Sequence, residues 1–264
     1  MTRSLLALAA AAVLALAAPG LAADPAFVTM WGSAGSGASQ FSFAHHLAVA
    51  PSGEVYVGDL LNNRVQRFSP AGAFLGQWAV SGADGIAVAP DGSVYVVRTS
   101  SIGHYSATGS LLGSWGSAGS GDGQFVFPLG ISITPEGDVL VSDVGANQVQ
   151  RFTGAGAFVQ RWSGSGPGAL NGPGRAVVDP DGNLVVPDNG NDRIAVYSAD
   201  GAFKLAWGAA GAGAGQFNHP TCVALDAGGR VVVMDKDNAR VQVFESVTTP
   251  AARTSWGAVK RAFH

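Results

Sequence analysis

Cysteine is nearly missing from this 264-residue chain: Cys222 stands alone, so no disulfide can form within one copy. It lies in the apolar run Cys222, Val223, Ala224, Leu225, where an unpaired thiol reads as a small, inert, buried side chain. Charge is sparse as well. Only 12% of residues are Asp, Glu, Lys or Arg, and the formal net charge is −3. A ligand with a dense phosphate backbone, or an anionic membrane surface, selects a basic patch or stripe, so no nucleic-acid partner is expected. No apolar stretch after the first residues approaches the roughly 20 residues that a spanning helix needs, so no membrane span is expected either. Also missing are a nucleophile elbow, a Walker loop and a paired catalytic carboxylate. The segments GSAGSG and GAAGAGAG are glycine-rich but are not followed by Lys and Ser or Thr, which leaves them as flexible links.

What is present begins with a leader. Residues 1–23 carry one charge, Arg3, then an apolar run from Leu5 to Ala18 and the small-residue exit Ala18-Pro19-Gly20-Leu21-Ala22-Ala23. This is the layout of a signal peptide cleaved after Ala22 or Ala23, and it predicts a secreted or periplasmic protein. No cysteine lies near the exit to carry a lipid. The mature chain then divides into a repeat domain over 24–245 and a linker with a short tail over 246–264. In the tail, Trp256, Val259 and Phe263 have the spacing of a short amphipathic helix.

The repeat domain says one fourteen-residue phrase several times: VYVGDLLNNRVQRF from 55, VLVSDVGANQVQRF from 139, LVVPDNGNDRIAVY from 184 and VVVMDKDNARVQVF from 231, with a shortened VYVVRTSSIGHY from 94. The copies start 39, 45, 45 and 47 residues apart, a period that signals a propeller or solenoid of identical units. Each unit resolves into four short strands. An apolar first strand ends in a turn such as Pro90-Asp91-Gly92 or Pro180-Asp181-Gly182, where Pro presets φ and Gly supplies the left-handed position. The phrase itself holds the second and third strands, and the fourth ends on Trp78, Trp115, Trp162 or Trp207. Second strands such as Val231-Val232-Val233 are apolar at consecutive positions, which requires cover on both faces by neighbouring sheets. The expectation is an all-β propeller of five four-stranded blades. Its last blade, short of a strand, would be closed by the N-terminal segment 26–31, with 251–256 as the weaker candidate.

The series Val-x-Asp, Asn, Arg-Val-Gln-x-Phe, then Gly-Phe, Trp-Gly and Gly-Gln-Phe resembles the NHL repeat, over about residues 26–245, in the manner of exported, bacterial-type NHL proteins. The resemblance implies a β-propeller, commonly of six blades, so six is the alternative to five. Asp59, Asp143, Asp188 and Asp235 recur once per blade, as do Arg64, Arg193 and Arg240 in three of them. A residue needed in every blade does structural work: the carboxylates are expected to take backbone N–H groups of a turn and to pair with the arginines.

Function is then expected where blades differ. At the starts of the innermost strands stand His45 and His46, Asp84, and Arg175, in positions occupied by Leu129, Gly130 or Gly174 elsewhere. These four are the candidate ligand-binding rim of the central channel. The expected function is a noncatalytic exported module that binds protein or glycan there, with no cofactor. The alternative is a metal-dependent lyase or lactonase, resembling peptide-amidating lyases that hold zinc at the channel rim or calcium-dependent lactonases. If a metal were held, His45, His46 and Asp84 would hold it. Zinc catalysis needs three protein ligands and an open fourth position.

Overall fold

The computed structural model describes residues 29–226 and 229–245, and the compact unit that carries the blades begins at Trp31. Five antiparallel sheets follow one another along the chain as a β-propeller. Blade 1 comprises Leu47–Val49, Val55–Asp59, Arg64–Phe68 and Phe74–Ala79. Blade 2 comprises Ile86–Val88, Val94–Val97, Ile102–Tyr105 and Leu111–Trp115. Blade 3 is Pro128–Ile133, Val139–Asp143, Gln148–Phe152 and Phe158–Trp162. Blade 4 is Val177–Val178, Leu184–Asp188, Arg193–Tyr197 and Phe203–Trp207. Blade 5 has Pro220–Leu225, Val231–Asp235 and Arg240–Phe244, three strands among the described residues. Residues 26–28 of the expected closing strand, the 251–256 candidate and the expected tail helix lie outside the described residues, and residues 29–31 carry no strand.

Local sequence explains each hairpin. Gly53, Gly92, Gly137 and Gly182 all take positive φ in the first turn of their blade, where a Cβ would be strained. The strands then pair residue by residue, as in Val55 with Phe68 and Asp59 with Arg64. A register shift near the start of the fourth strand recurs in blades 1, 2, 3 and 4, and such bulges increase local twist.

Apolar side chains from facing sheets form four cores, between blades 1 and 2, 2 and 3, 3 and 4, and 4 and 5. This is why the second strands are apolar on both faces; each fully buried Val, Leu or Ile contributes about 1.5–3 kcal/mol. The terminal Trp of one blade packs on the third-strand aromatic of the next, Trp78 on Tyr105 at 6.0 Å and Trp115 on Phe152 at 5.8 Å. Trp31 stands to Phe68 of blade 1 in the same way, at 6.0 Å. The outward faces of the first and last sheets are less covered. Leu47 is 56% exposed, whereas Ile86, its equivalent in blade 2, is 2% exposed.

The glycine-rich links between blades are folded rather than flexible. In two of them a short parallel pair closes the loop, Ser33–Ala34 with Gln40–Phe41 and Ser117–Ala118 with Gln124–Phe125; a bridge from Ala210 to Phe217 does so in a third. Gln40, Gln124 and Gln216 accept a backbone N–H inside their own loops. Phe125 and Phe217 are fully buried.

The repeated carboxylates hold these links. Asp59 accepts from Ser42 N at 2.7 Å, Asp143 from Val126 N at 2.8 Å, Asp188 from Asn171 N at 2.7 Å and Asp235 from Asn218 N at 2.7 Å. Each donor lies in the link that precedes the same blade, 17 residues upstream. Arg64, Arg193 and Arg240 pair with their Asp at 2.7 Å and direct their remaining N–H groups at link carbonyls, including Ser36, Pro167 and Ala212. The expected acceptance from the turn that follows occurs in blade 3, where Asp143 takes Gly145 N and Ala146 N. There Gln148 stands in place of the arginine.

Candidate functional site at the channel mouth

The innermost strands begin around one cavity of about 490 Å³. Close approach of neighbouring strands shapes it. A Cβ on Gly174 would lie 2.2 Å from Thr221 O, one on Gly85 2.3 Å from Leu129 O, and one on Gly130 2.8 Å from the Arg175 Cα. Arg175 is fixed by main-chain bonds to the next blade, Arg175 N to Thr221 O at 3.0 Å and Val223 N to Arg175 O at 3.3 Å.

His45, His46 and Arg175 line this cavity together. Asp84 meets both histidines: its Oδ1 is 3.0 Å from His46 Nδ1 and 3.6 Å from His45 Nδ1. Asp84 is the more buried partner, with its side chain 14% exposed against 28% for His46 and 43% for His45. The backbone sets its place through Asp84 N to Val97 O at 3.2 Å. All four residues singled out by their departure from the repeat are therefore brought to one mouth, three on the cavity wall and Asp84 behind the imidazoles.

The arrangement orients more than it activates. The Asp84 carboxylate is within hydrogen-bond distance of His46 Nδ1 at 3.0 Å and orients that ring, while His45 Nδ1, at 3.6 Å, is in ion-pair range only. Among the described residues, no group of three or more His, Cys, Asp or Glu is arranged to hold a metal, and His46 Nδ1 is engaged by Asp84. Three protein ligands of the kind a catalytic zinc needs are not assembled among these side chains.

The remaining wall is mostly apolar, with Leu47, Leu129, Val144, Met234 and Cys222. Burial pushes the Cys222 thiol up, with Arg175 acting in the opposite direction, so the sulfur stays a neutral thiol at neutral pH. Cys222 and Thr221 occupy the same strand-start positions as His46 and His45; that equivalence was the available signal for them. Asn189 and Met234 come from other strands and turns and had no such signal.

His104 and His219 belong elsewhere. His219 pairs with Asp237 at 2.8 Å on the surface. His104 stacks on Tyr95 at 4.3 Å beside a second cavity between blades 2 and 3, and its Nε2 is buried without a partner.

Comparison with known proteins agrees with this architecture. The NHL repeat family matches residues 125–152 and 217–244. No curated protein matches the chain. Among solved structures, a streptogramin B lyase is 14% identical, with 80% of this chain and 70% of that chain covered at a TM-score of 0.58. A catalytically inactive virginiamycin B lyase from Staphylococcus aureus with quinupristin is 15% identical, covering 81% and 72%, at 0.59. The hydrazine synthase of Kuenenia stuttgartiensis is 18% identical, covering 75% and 64%, at 0.55. At such identities the likeness is one of fold. Among the described residues, no helix is long and apolar enough to cross a membrane.

Proposed function

We propose that this NHL-repeat β-propeller is an exported binding module that takes a protein or glycan partner at the channel mouth. The supporting observation is convergence. The residues that break the repeat, His45, His46, Asp84 and Arg175, meet at one concave site, while those that keep it hold the links. A preformed cavity with a few oriented polar groups in an apolar wall is the usual form of a ligand site. Export rests on the leader over residues 1–23, and mass spectrometry of the mature protein tests it: a first residue at Ala23 or Asp24 is expected.

The binding reading is tested by comparing partners captured from cell-surface or extracellular material by the wild type and by an Arg175→Ala/His46→Ala variant. The partner is expected to be lost in the variant; its retention would remove the channel mouth as the binding site. The lyase reading draws on two structural neighbours that are lyases. Equilibrium dialysis against zinc and calcium separates the two readings. Stoichiometric metal that disappears in a His45→Ala/His46→Ala variant would replace binding with metal-dependent chemistry.

A further inference from the structure

Among the described arginines, Arg175 and Arg98 alone form no salt bridge, and of these two only Arg175 lines the channel-mouth cavity. Arg64, Arg67, Arg151, Arg161, Arg193, Arg230 and Arg240 each have a carboxylate within ion-pair distance. Arg175 forms no salt bridge among the described residues, and its Nε is buried without an acceptor. Its side-chain partner is the neutral thiol of Cys222. The cavity wall itself carries no carboxylate, and Asp84 behind it is hydrogen-bonded to His46. A cation held against an apolar wall without a counter-charge is costly unless something supplies one.

We propose that the channel mouth receives a single carboxylate carried on an apolar body, the chemistry of a peptide's C-terminal residue, with the Arg175 guanidinium as its counter-charge. The proposal rests on the reading of this mouth as a binding site and names its ligand class. A guanidinium grips a carboxylate through two parallel hydrogen bonds, which a neutral amide cannot replace. Leu129, Val144 and Met234 supply the apolar wall for the ligand body. The wall offers no Trp, Tyr or Phe platform on which a sugar ring would stack. Capture of a terminal carboxylate in a small pocket is a known mode of peptide recognition, and about 490 Å³ accommodates a terminal residue or two.

The test is calorimetric titration of the full chain with N-acetyl-Ala-Leu as free acid and as amide, and with 4-methylpentanoate. The acid is expected to bind one to one and the amide about tenfold or more weaker. Arg175→Gln should abolish that preference, and Arg175→Lys should keep part of it, with thermal melts confirming that both variants fold. Binding of 4-methylpentanoate as tight as the peptide acid would assign the carboxylate to a free organic acid, and tighter binding of the peptide would assign it to a chain terminus; either supports the proposal. Equal binding of acid and amide overturns it, as does an acid preference that survives Arg175→Gln. If neither probe binds while a captured partner still depends on His46, the mouth remains a binding site and the carboxylate assignment falls. If no partner depends on His46 or Arg175, both fall.

Discussion

Blade 2 and the other four blades are built from one repeat, yet they are joined to their predecessors differently. Six residues separate Trp78 from Gly85, against fourteen between Trp31 and His46, Trp115 and Gly130, or Trp207 and Cys222, and twelve between Trp162 and Arg175. Blade 2 is also the blade whose phrase is broken, with Arg98 where the others have Asp. The two facts are one. In the four other blades the Asp carboxylate takes a link N–H from 17 residues upstream. In blade 2 the residue 17 upstream is Ser81 of the short link and Arg98 offers it no carboxylate; the hairpin closes with a tighter turn, Arg98 N to Ser101 O at 2.8 Å. The short link also ends on Asp84, at the backs of His45 and His46. Loss of a structural carboxylate in this blade thus accompanies gain of the carboxylate that orients the candidate site.

The strongest way to break this comparison is to remove a link anchor. Asp59 is fully buried and holds Ser42 N, the Asn62 amide and the Arg64 guanidinium together. Asp59→Ala leaves the Arg64 charge without its partner, at a cost of about 3–5 kcal/mol. Chemical denaturation measures this directly, and a loss below about 1 kcal/mol would mean that the carboxylate does not hold the link. Asp188→Asn should lower the melting temperature for the same reason, since an amide cannot balance Arg193.

A smaller effect tests how closely the strands approach at the mouth. Gly85→Ala would drive its Cβ against Leu129 O at 2.3 Å, so a loss of about 1–3 kcal/mol is expected. Gly113→Ala, with nothing within 4 Å of the added atom, should stay within about 0.5 kcal/mol. Similar losses at both glycines would show that backbone propensity, not packing, governs them.

The sequence shows why these positions were legible to different degrees. The five sheets, their turns and the terminal Trp residues were visible because period, Pro-Gly turns and doubly apolar strands repeat. The candidate rim was visible by subtraction, as His45, His46, Asp84 and Arg175 differ from their equivalents. The direction in which the Asp carboxylates reach was not. An Asx turn and a link anchor use the same residues at the same spacing, and only the fold brings Ser42 beside Asp59 or Asn171 beside Asp188. The folded state of the glycine-rich links was hidden likewise, since their order depends on Phe125 and Phe217 burying between sheets. Asn189 and Met234 reach the mouth from turns and second strands that the subtraction did not sample.

Protonation sharpens the contrast between the two kinds of blade. His104, on the third strand of blade 2, replaces arginines of blades 1 and 3, and burial holds its imidazole below the usual value while Asp91 opposes this. The unfolded chain therefore binds the proton first. His104 contributes stability that is complete above the ordinary His range, near pH 6.5, and that declines as pH falls toward its folded value. His104→Gln should flatten the stability profile across that window. In blade 5, burial pushes the Asp235 carboxyl up, but Asn218 N–H, the Asn238 amide and Arg240 outweigh it and leave it below its usual value. That contribution is present above about pH 4 and is lost as pH falls further, so Asp235→Asn should flatten only the acid limb. Unchanged slopes in both variants would place the pH dependence elsewhere.

The smallest expected effect is the most discriminating. Arg98→Asp restores the repeat's carboxylate to blade 2 without restoring the long link. If the carboxylate stabilised the hairpin by itself, the blade would gain stability, as the repetition of Asp along the sequence suggests at first sight. If it serves the long link, the restored side chain finds neither that link nor an arginine five residues on, since the link here is six residues long and Gly103 stands in the arginine's place. Denaturation of Arg98→Asp should then differ from the wild type by no more than about 0.5 kcal/mol. A gain well beyond that would return the Asp to the hairpin and leave the short link of blade 2 unrelated to its broken phrase.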